Sequence, residues 1–425
     1  MNNYSLQVAL PSLKDLELST LNSEKLLPDH PPENFNMQNL TNLKIHGCNS
    51  LKYLLSFDMA RNIVRLQHLE VRGCSVMEDV LAINDKERMV KEELLPNLKF
   101  LVLDDLPNLK RFCSKSWAEF SSLARLRITN CPKLKIEDSI RKLPRLNILI
   151  LKRIMVAQEA MWNCQYEIDH EGLNEDDQEQ AGMFPCLKLL ILIELTDRLM
   201  DSWKKNYHPA GRAFQNLKHL FVVKCHTLKN LVPASISFQA LRCLVVSECH
   251  GMEYLFTPSA VKSLTQLREM MIGKCERMIQ IIADYNGSET EEGTEIVFDR
   301  LEELRLSNLQ NLGSFFSGNC VMRFPNLQRL IFKYCPQMVS FCEGNISAPK
   351  LKKLILSIKE DGGEDEDEDK AHEEISTEIM ENDIDLDDDR ELHFDNDEFS
   401  SYPMQKLVEG DINAATRKLW LNNQG

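Results

Sequence analysis

Residues 217–225 read Leu217-Lys218-His219-Leu220-Phe221-Val222-Val223-Lys224-Cys225. Aliphatic side chains fill the first, fourth and sixth places, and a cysteine fills the ninth. In an extended segment alternate side chains point to opposite faces, so the fourth and sixth residues share one face and the third and fifth share the other. The same phrase, L-x-x-L-x-L, begins thirteen times: at Leu13, Leu40, Leu66, Leu98, Leu123, Leu146, Leu187, Leu217, Leu241, Leu267, Leu301, Leu327 and Leu351. Most steps are 23 to 34 residues, and the step from Leu146 to Leu187 is 41.

An apolar phrase recurring at this period marks a leucine-rich-repeat solenoid. The expected class is α/β: a curved solenoid of about thirteen repeats, with a parallel β-sheet on its concave face and an irregular or helical convex side. One repeat cannot bury its apolar face alone, so stability is a sum over stacked neighbours. The ninth place is cysteine in seven copies (Cys48, Cys74, Cys131, Cys225, Cys249, Cys275 and Cys335) and Leu21, Leu106, Ile154, Leu195 or Leu309 in five. Only the last copy departs, with Lys359, as suits a terminal repeat whose outer side meets water.

A longer period overlies the short one. Leu13, Leu40, Leu66, Leu98, Leu123 and Leu146 recur as Leu217, Leu241, Leu267, Leu301, Leu327 and Leu351, at offsets of 204, 201, 201, 203, 204 and 205. Residues 98–112 (LKFLVLDDLPNLKRF) match 301–315 (LEELRLSNLQNLGSF). The expected organisation is a solenoid over 1–358, built from duplicated six-repeat blocks near 13–160 and 217–358 with the Leu187 repeat between them. An acidic disordered segment at 359–400 and a short C-terminal tail at 401–425, read as helical, follow.

Residues 360–398 hold 21 acidic side chains against Lys370 and Arg390, a net of −19. The whole chain is −15, so the remainder carries +4. A run of this kind is solvated rather than packed. Long polar loops at Gln158–Gly182 and Asp284–Glu295 account for the 41- and 34-residue steps.

No 18-residue apolar run exists, so no membrane span is expected, and Met1-Asn2-Asn3-Tyr4 does not open a secretory signal. The repeated inward cysteines behave as small hydrophobes in a reducing, cytoplasmic setting. In that setting the sequons at Asn3, Asn39, Asn286 and Asn345 are chance matches. No C-x-x-C or H-x-x-x-H pair exists for a metal. Gly313 and Gly318 have phosphate-loop spacing, but Asn319-Cys320 stand where Lys-Ser/Thr is needed. Asp383–Asp389 lacks the glycine and glutamate of a calcium loop. No G-x-S-x-G or H-E-x-x-H motif occurs. The expected catalytic, cofactor and metal sets are therefore empty. A +4 solenoid without interleaved aromatics is a poor nucleic-acid surface.

The outward third and fifth residues begin polar: Asp15, Glu17, Asn42, Lys44, His68, Glu70, Arg125 and Arg127. In the middle they turn apolar: Ile148, Ile150, Leu189, Ile191, Phe221 and Val245, with Ile193 and Val223 one strand step further. Toward the end they become basic: Arg305, Arg329, Lys333 and Lys353. An apolar patch on an exposed face, flanked by charge, marks a protein interface. Its expected anchors are Phe221, Ile150 and Ile191, and the competing expectation is that the Gln158 insertion covers the patch.

The L-x-x-L-x-L-x-x-C phrase, residues 98–113 (LKFLVLDDLPNLKRFC) and residues 255–279 (LFTPSAVKSLTQLREMMIGKCERMI) together resemble one family. They are similar to the C-terminal repeat region of plant disease-resistance proteins of the coiled-coil, nucleotide-binding, leucine-rich-repeat class. The likeness covers about 6–358, and Gly410-Asp411-Ile412-Asn413-Ala414-Ala415-Thr416 also resembles that family's end. It implies an immune-receptor region that senses a pathogen effector or a guarded host protein and makes autoinhibitory contact with a nucleotide-binding domain. With no phosphate loop and no coiled-coil start, nucleotide binding is not carried over, and the expectation is a fragment or truncated product. The alternative, a repeat adaptor of a ubiquitin ligase, requires a helical F-box before the repeats, and repeats begin here by Leu6 or Leu13.

Overall fold

The computed structural model describes residues 12–26, 37–82, 95–113, 120–134, 143–154, 185–195, 214–231, 238–283, 295–338 and 340–357. The chain divides into two compact units, Met1–Leu187 with Leu195–Lys204, and Lys188–Glu194 with Lys205–Gly425.

The first unit runs β1 (Asp15–Ser19), β2 (Asn42–His46), β3 (Tyr53–Ser56), α1 (Phe57–Asn62), β4 (His68–Arg72), β5 (Asp79–Ala82), β6 (Phe100–Asp104), β7 (Arg111–Cys113), β8 (Arg125–Thr129) and β9 (Ile148–Lys152). Strands β1, β2, β4, β6, β8 and β9 lie side by side in that order, all parallel. A smaller parallel ladder joins β3, β5 and β7.

The second unit runs β10 (Leu189–Ile193), β11 (His219–Val223), β12 (Cys243–Ser247), α2 (Pro258–Val261), β13 (Glu269–Gly273), β14 (Gln280–Ile282), β15 (Glu295–Val297), β16 (Glu303–Ser307), β17 (Ser314–Phe316), β18 (Val321–Arg323), β19 (Arg329–Lys333), β20 (Ile346–Ser347) and β21 (Lys353–Ser357). Its main sheet is β10-β11-β12-β13-β16-β19-β21, again parallel throughout. Two outer ladders pair β14 with β17, and β15, β18 and β20.

Each main-sheet strand is the third to seventh residue of one phrase, as the sequence predicts. Register is residue for residue, so Leu16, Leu43, Leu69, Leu101, Leu126 and Leu149 form one row. Away from the two end strands the inward leucines are out of water: Leu126 is 3% exposed, and Leu220 and Leu330 are 0%, whereas Leu16 and Leu354 at the ends are half-buried. Fully burying such a side chain is worth about 2 kcal/mol. Eleven cysteines are free, and Cys48, Cys74 and Cys131 among them are buried rather than cross-linked.

At the eighth place each of the first twelve coils turns through the left-handed region. Thr20, Gly47, Gly73, Asp105, Asn130, Arg153, Glu194, Lys224, Glu248, Lys274, Asn308 and Tyr334 all have φ between 47° and 62°. The reversal returns the ninth residue to the core. It also aims the eighth N–H at the next coil, where it donates to the seventh carbonyl, as Lys224 does to Ser247 and Asn308 to Lys333. Only two of these twelve residues are glycine, so L residues accept the conformation in return for a turn bonded to the next coil.

The outer side carries only two short helices among the described residues. Ser56 caps α1 and Thr257 caps α2, each hydroxyl accepting from the backbone three residues on. Both helices and caps are 201 residues apart, the offset that also relates Leu66 to Leu267. No helix among the described residues is long and apolar enough to cross a membrane.

Candidate recognition surface

The outward rows follow from the same register. In the first unit the fifth-place row is Glu17, Lys44, Glu70, Val102, Arg127 and Ile150. Glu70 is its hub. The carboxylate is 8% exposed and meets Arg72 Nε at 2.6 Å, His46 Nε2 at 3.1 Å, His68 Nε2 at 3.6 Å and Lys44 Nζ at 4.0 Å. The facing His68 imidazole, then the charges of Arg72, Lys44 and His46, outweigh the burial penalty and hold Glu70 down at about 2. In the adjacent row His68 stacks on Phe100 at 5.8 Å, and the Arg125 guanidinium lies 4.9 Å above the same ring. Arg125 and Arg127 are buried, and Arg127 Nε donates to Thr129 Oγ1 at 3.4 Å.

In the second unit the rows change character along their length. Third places run Leu189, His219, Cys243, Glu269, Glu303, Arg329 and Lys353, and fifth places run Ile191, Phe221, Val245, Met271, Arg305, Ile331 and Ile355. Burial, then the charges of Lys218 and Arg242, lower His219 to about 4, so the ring is neutral at physiological pH. Glu303 is 2% exposed and is satisfied by charge: Arg305 Nη2 lies 2.8 Å away, and Arg329 makes a second ion pair.

Burial changes the reading of the apolar stretch. The sequence leaves an open patch and a covered one as competing expectations, and Ile148 and Ile150 in the first unit are each 1% exposed. In the second unit Leu189, Ile191, Ile193, Phe221, Val223 and Val245 are likewise buried. The insertion expected to cover them lies outside the described residues. The second unit's face is most accessible at its basic end, where Arg329 keeps 46% of its side-chain exposure and Lys333 and Lys353 are half-buried; Glu269 and Met271 on β13 are half-buried as well. Sequence reading by third and fifth places misses His46 and Arg72, which meet Glu70 from the seventh place. Carrying strand alternation one step further finds them.

Four of the buried thiols are poor nucleophiles. Burial pushes Cys131 and Cys335 each up to about 12, and Cys243 is raised well above the usual thiol range by burial and by Glu269. Cys249 is raised by hydrogen bonding to Cys225 and Cys275 and by burial. A protonated thiol neither attacks carbon nor binds metal. Among the described residues no three His, Cys, Asp or Glu side chains converge as metal ligands.

The sequence profile of the family described as "Plant disease resistance protein RPS2-like, leucine-rich repeats" matches residues 12–137 and 235–354, more than half of the 425 residues. Probable disease resistance protein At4g27220 of Arabidopsis thaliana is 29% identical over 127 residues. That match covers 29% of this chain and 14% of the relative, so most of the relative's length has no counterpart in it. Among solved structures, an internalin (inlF) from Listeria monocytogenes aligns with TM-score 0.37 and 15% identity, covering 81% of this chain and 86% of that one. The plant peptide hormone receptor RGFR1 in complex with RGF2 aligns with TM-score 0.19 and 13% identity, covering 81% and 72%.

Proposed function

Because this chain belongs to the RPS2-like leucine-rich-repeat family of plant disease resistance proteins, we propose that it is a non-catalytic recognition scaffold in the defence response. Its sheet faces contact a pathogen effector, a guarded host protein or the nucleotide-binding domain of a receptor. The observation that carries this reading is the outward face itself. Successive strands set side chains at matched places about 4.8 Å apart, so a partner is read across many coils. The cytoplasm is the proposed compartment, supported by eleven described cysteines that remain free.

The test uses the full chain and a candidate partner, beginning with the nucleotide-binding domain of a receptor from the same family, in co-precipitation from plant cells. Met271→Asp and Ile355→Asp alter half-buried fifth places of the second unit's face. Val64→Asp and Ile279→Asp alter exposed apolar residues outside those rows, 40% and 53% exposed. The face variants are expected to lose binding at least tenfold while the controls retain it, with matching circular dichroism throughout. Equal binding by all four variants would overturn the reading for that partner class.

A further inference from the structure

The last three strands of the second unit's main sheet, β16, β19 and β21, carry an uneven charge on their outward places. Arg305, Arg329, Lys333 and Lys353 stand there against one carboxylate, Glu303. That carboxylate is 3% exposed and turned to Arg305 and Arg329, so the surface presented to solvent is cationic. The chain leaves β21 at Ser357, and Glu360 follows three residues later. Residues 360–369 read EDGGEDEDED, eight acids in ten, and the run to Glu398 keeps a net of −19. Ten residues reach up to about 35 Å, whereas three neighbouring strands span about 10 Å. Tethered this closely, the acidic run is held at an effective concentration on the order of millimolar next to the cationic places. Opposite charges inside a Debye length of about 10 Å attract strongly. The first unit's face offers less surplus, since Lys44 and Arg72 already converge on Glu70, and Arg72 also meets Asp104 at 3.8 Å.

We propose that the acidic segment 360–398 of this same chain occupies the cationic end of the second unit's face and competes there with any acidic partner. Residues 358–425 lie outside the described residues, and the proposal rests on their sequence and on the place where the chain departs. It goes beyond the recognition reading, because docking is measured with no partner present and its failure leaves that reading intact.

The experiment is zero-length carbodiimide cross-linking of the full chain at low salt, mapped by mass spectrometry. Cross-links from carboxylates of 360–398 should concentrate on Lys333 and Lys353 and fall at least fivefold in about 0.5 M sodium chloride. The Lys110–Glu78 pair, 2.8 Å apart in the first unit, serves as the internal standard for reaction yield. A second measurement follows acetylation of Lys333 and Lys353 by a soluble amine reagent. Converting the eight acids of 360–369 to their amides, a change outside the sheet, should speed both reactions at least threefold and leave Lys44 unchanged. Cross-links spread evenly over the lysines of both units, or unchanged acetylation rates, would overturn the proposal. Cross-links found only between isotopically heavy and light chains in a mixture would overturn it as well, because they would place the contact between molecules.

Discussion

The Cys249 thiol lies 3.6 Å from the carbonyl oxygen of Val222 in the preceding coil and 3.4 Å from that of Ser247 in its own. The geometry repeats: Cys225 reaches Leu192 at 3.8 Å, Cys131 reaches Leu103 at 3.9 Å and Cys335 reaches Leu306 at 3.8 Å. The ninth-place cysteine therefore fills an apolar site and gives strand carbonyls beside it a weak donor. Leucine does the first of these and not the second.

Because burial holds the Cys131 and Cys335 protons to about pH 12 against an ordinary 9.0, these thiols make stability fall in alkali. Above pH 9 the unfolded chain releases a proton that the native chain keeps. The unfolded state then binds fewer protons, and the slope of stability with pH is negative, about 1.4 kcal/mol per unit for each thiol. Urea unfolding at about pH 7.5, 9 and 10.5 is the check. Cys335→Ala should lower stability at neutral pH but flatten the alkaline slope, and an identical slope in the variant would refute the assignment.

Acid loads a different residue. His219, on the outward row between Leu189 and Cys243, is lowered from 6.5 to about 4. Above 6.5 both states are neutral and the site is silent. As pH falls from 6.5 toward 4 the unfolded chain gains a proton that the native ring refuses, so stability declines by about 1.4 kcal/mol per unit. His219→Gln should match the parent at pH 7 and exceed it by roughly 2 kcal/mol near pH 4.5. Parallel stability curves for the two proteins would show that the ring is not held neutral.

What the sequence made legible follows from one repeated constraint. Leu220 and Val222 must point inward because a coil has no other core, and that requirement writes the same letters thirteen times. The eighth-place reversal left no such mark. Coil closure dictates a left-handed φ whether the residue is Gly47, Arg153 or Tyr334, so glycine alone does not mark the place. The outer strands, such as the three residues of Gln280–Ile282, are too short to show a period of two. The apolar face was legible as composition and not as exposure. Phe221 and Val245 alternate with inward residues as solvent-facing side chains would, and only coordinates show them buried.

The eighth place gives a direct test of that constraint. Asn308 has φ 52°, which asparagine tolerates and a β-branched side chain resists. Asn308→Ile should cost about 1–2 kcal/mol and Asn308→Gly should change little. Equal thermal midpoints for the two variants would argue against the reversal.

Coil spacing leaves no room for a side chain at Gly251, where an added Cβ would sit 2.0 Å from the carbonyl oxygen of His226. That neighbour is backbone in the preceding coil and cannot swing aside. Gly251→Ala should destabilise the chain by on the order of 3 kcal/mol. A loss under about 0.5 kcal/mol in denaturant melts would mean that the two coils separate freely.

Glu303 tests whether charge on the outward face is structural. Its carboxylate is almost wholly buried and shared by Arg305 and Arg329 from neighbouring strands. Removing one guanidinium leaves the other to compensate, so Arg305→Ala and Arg329→Ala should each cost about 1–2 kcal/mol. Removing both strands an uncompensated buried carboxylate, and the double variant should lose about 3–5 kcal/mol, more than the two losses added. Adding Glu303→Met to that double variant removes the stranded charge and should restore most of the stability. Chemical unfolding of the four proteins decides it: strictly additive losses, or a triple variant no more stable than the double, would show that Glu303 is neutralised by something other than these two arginines.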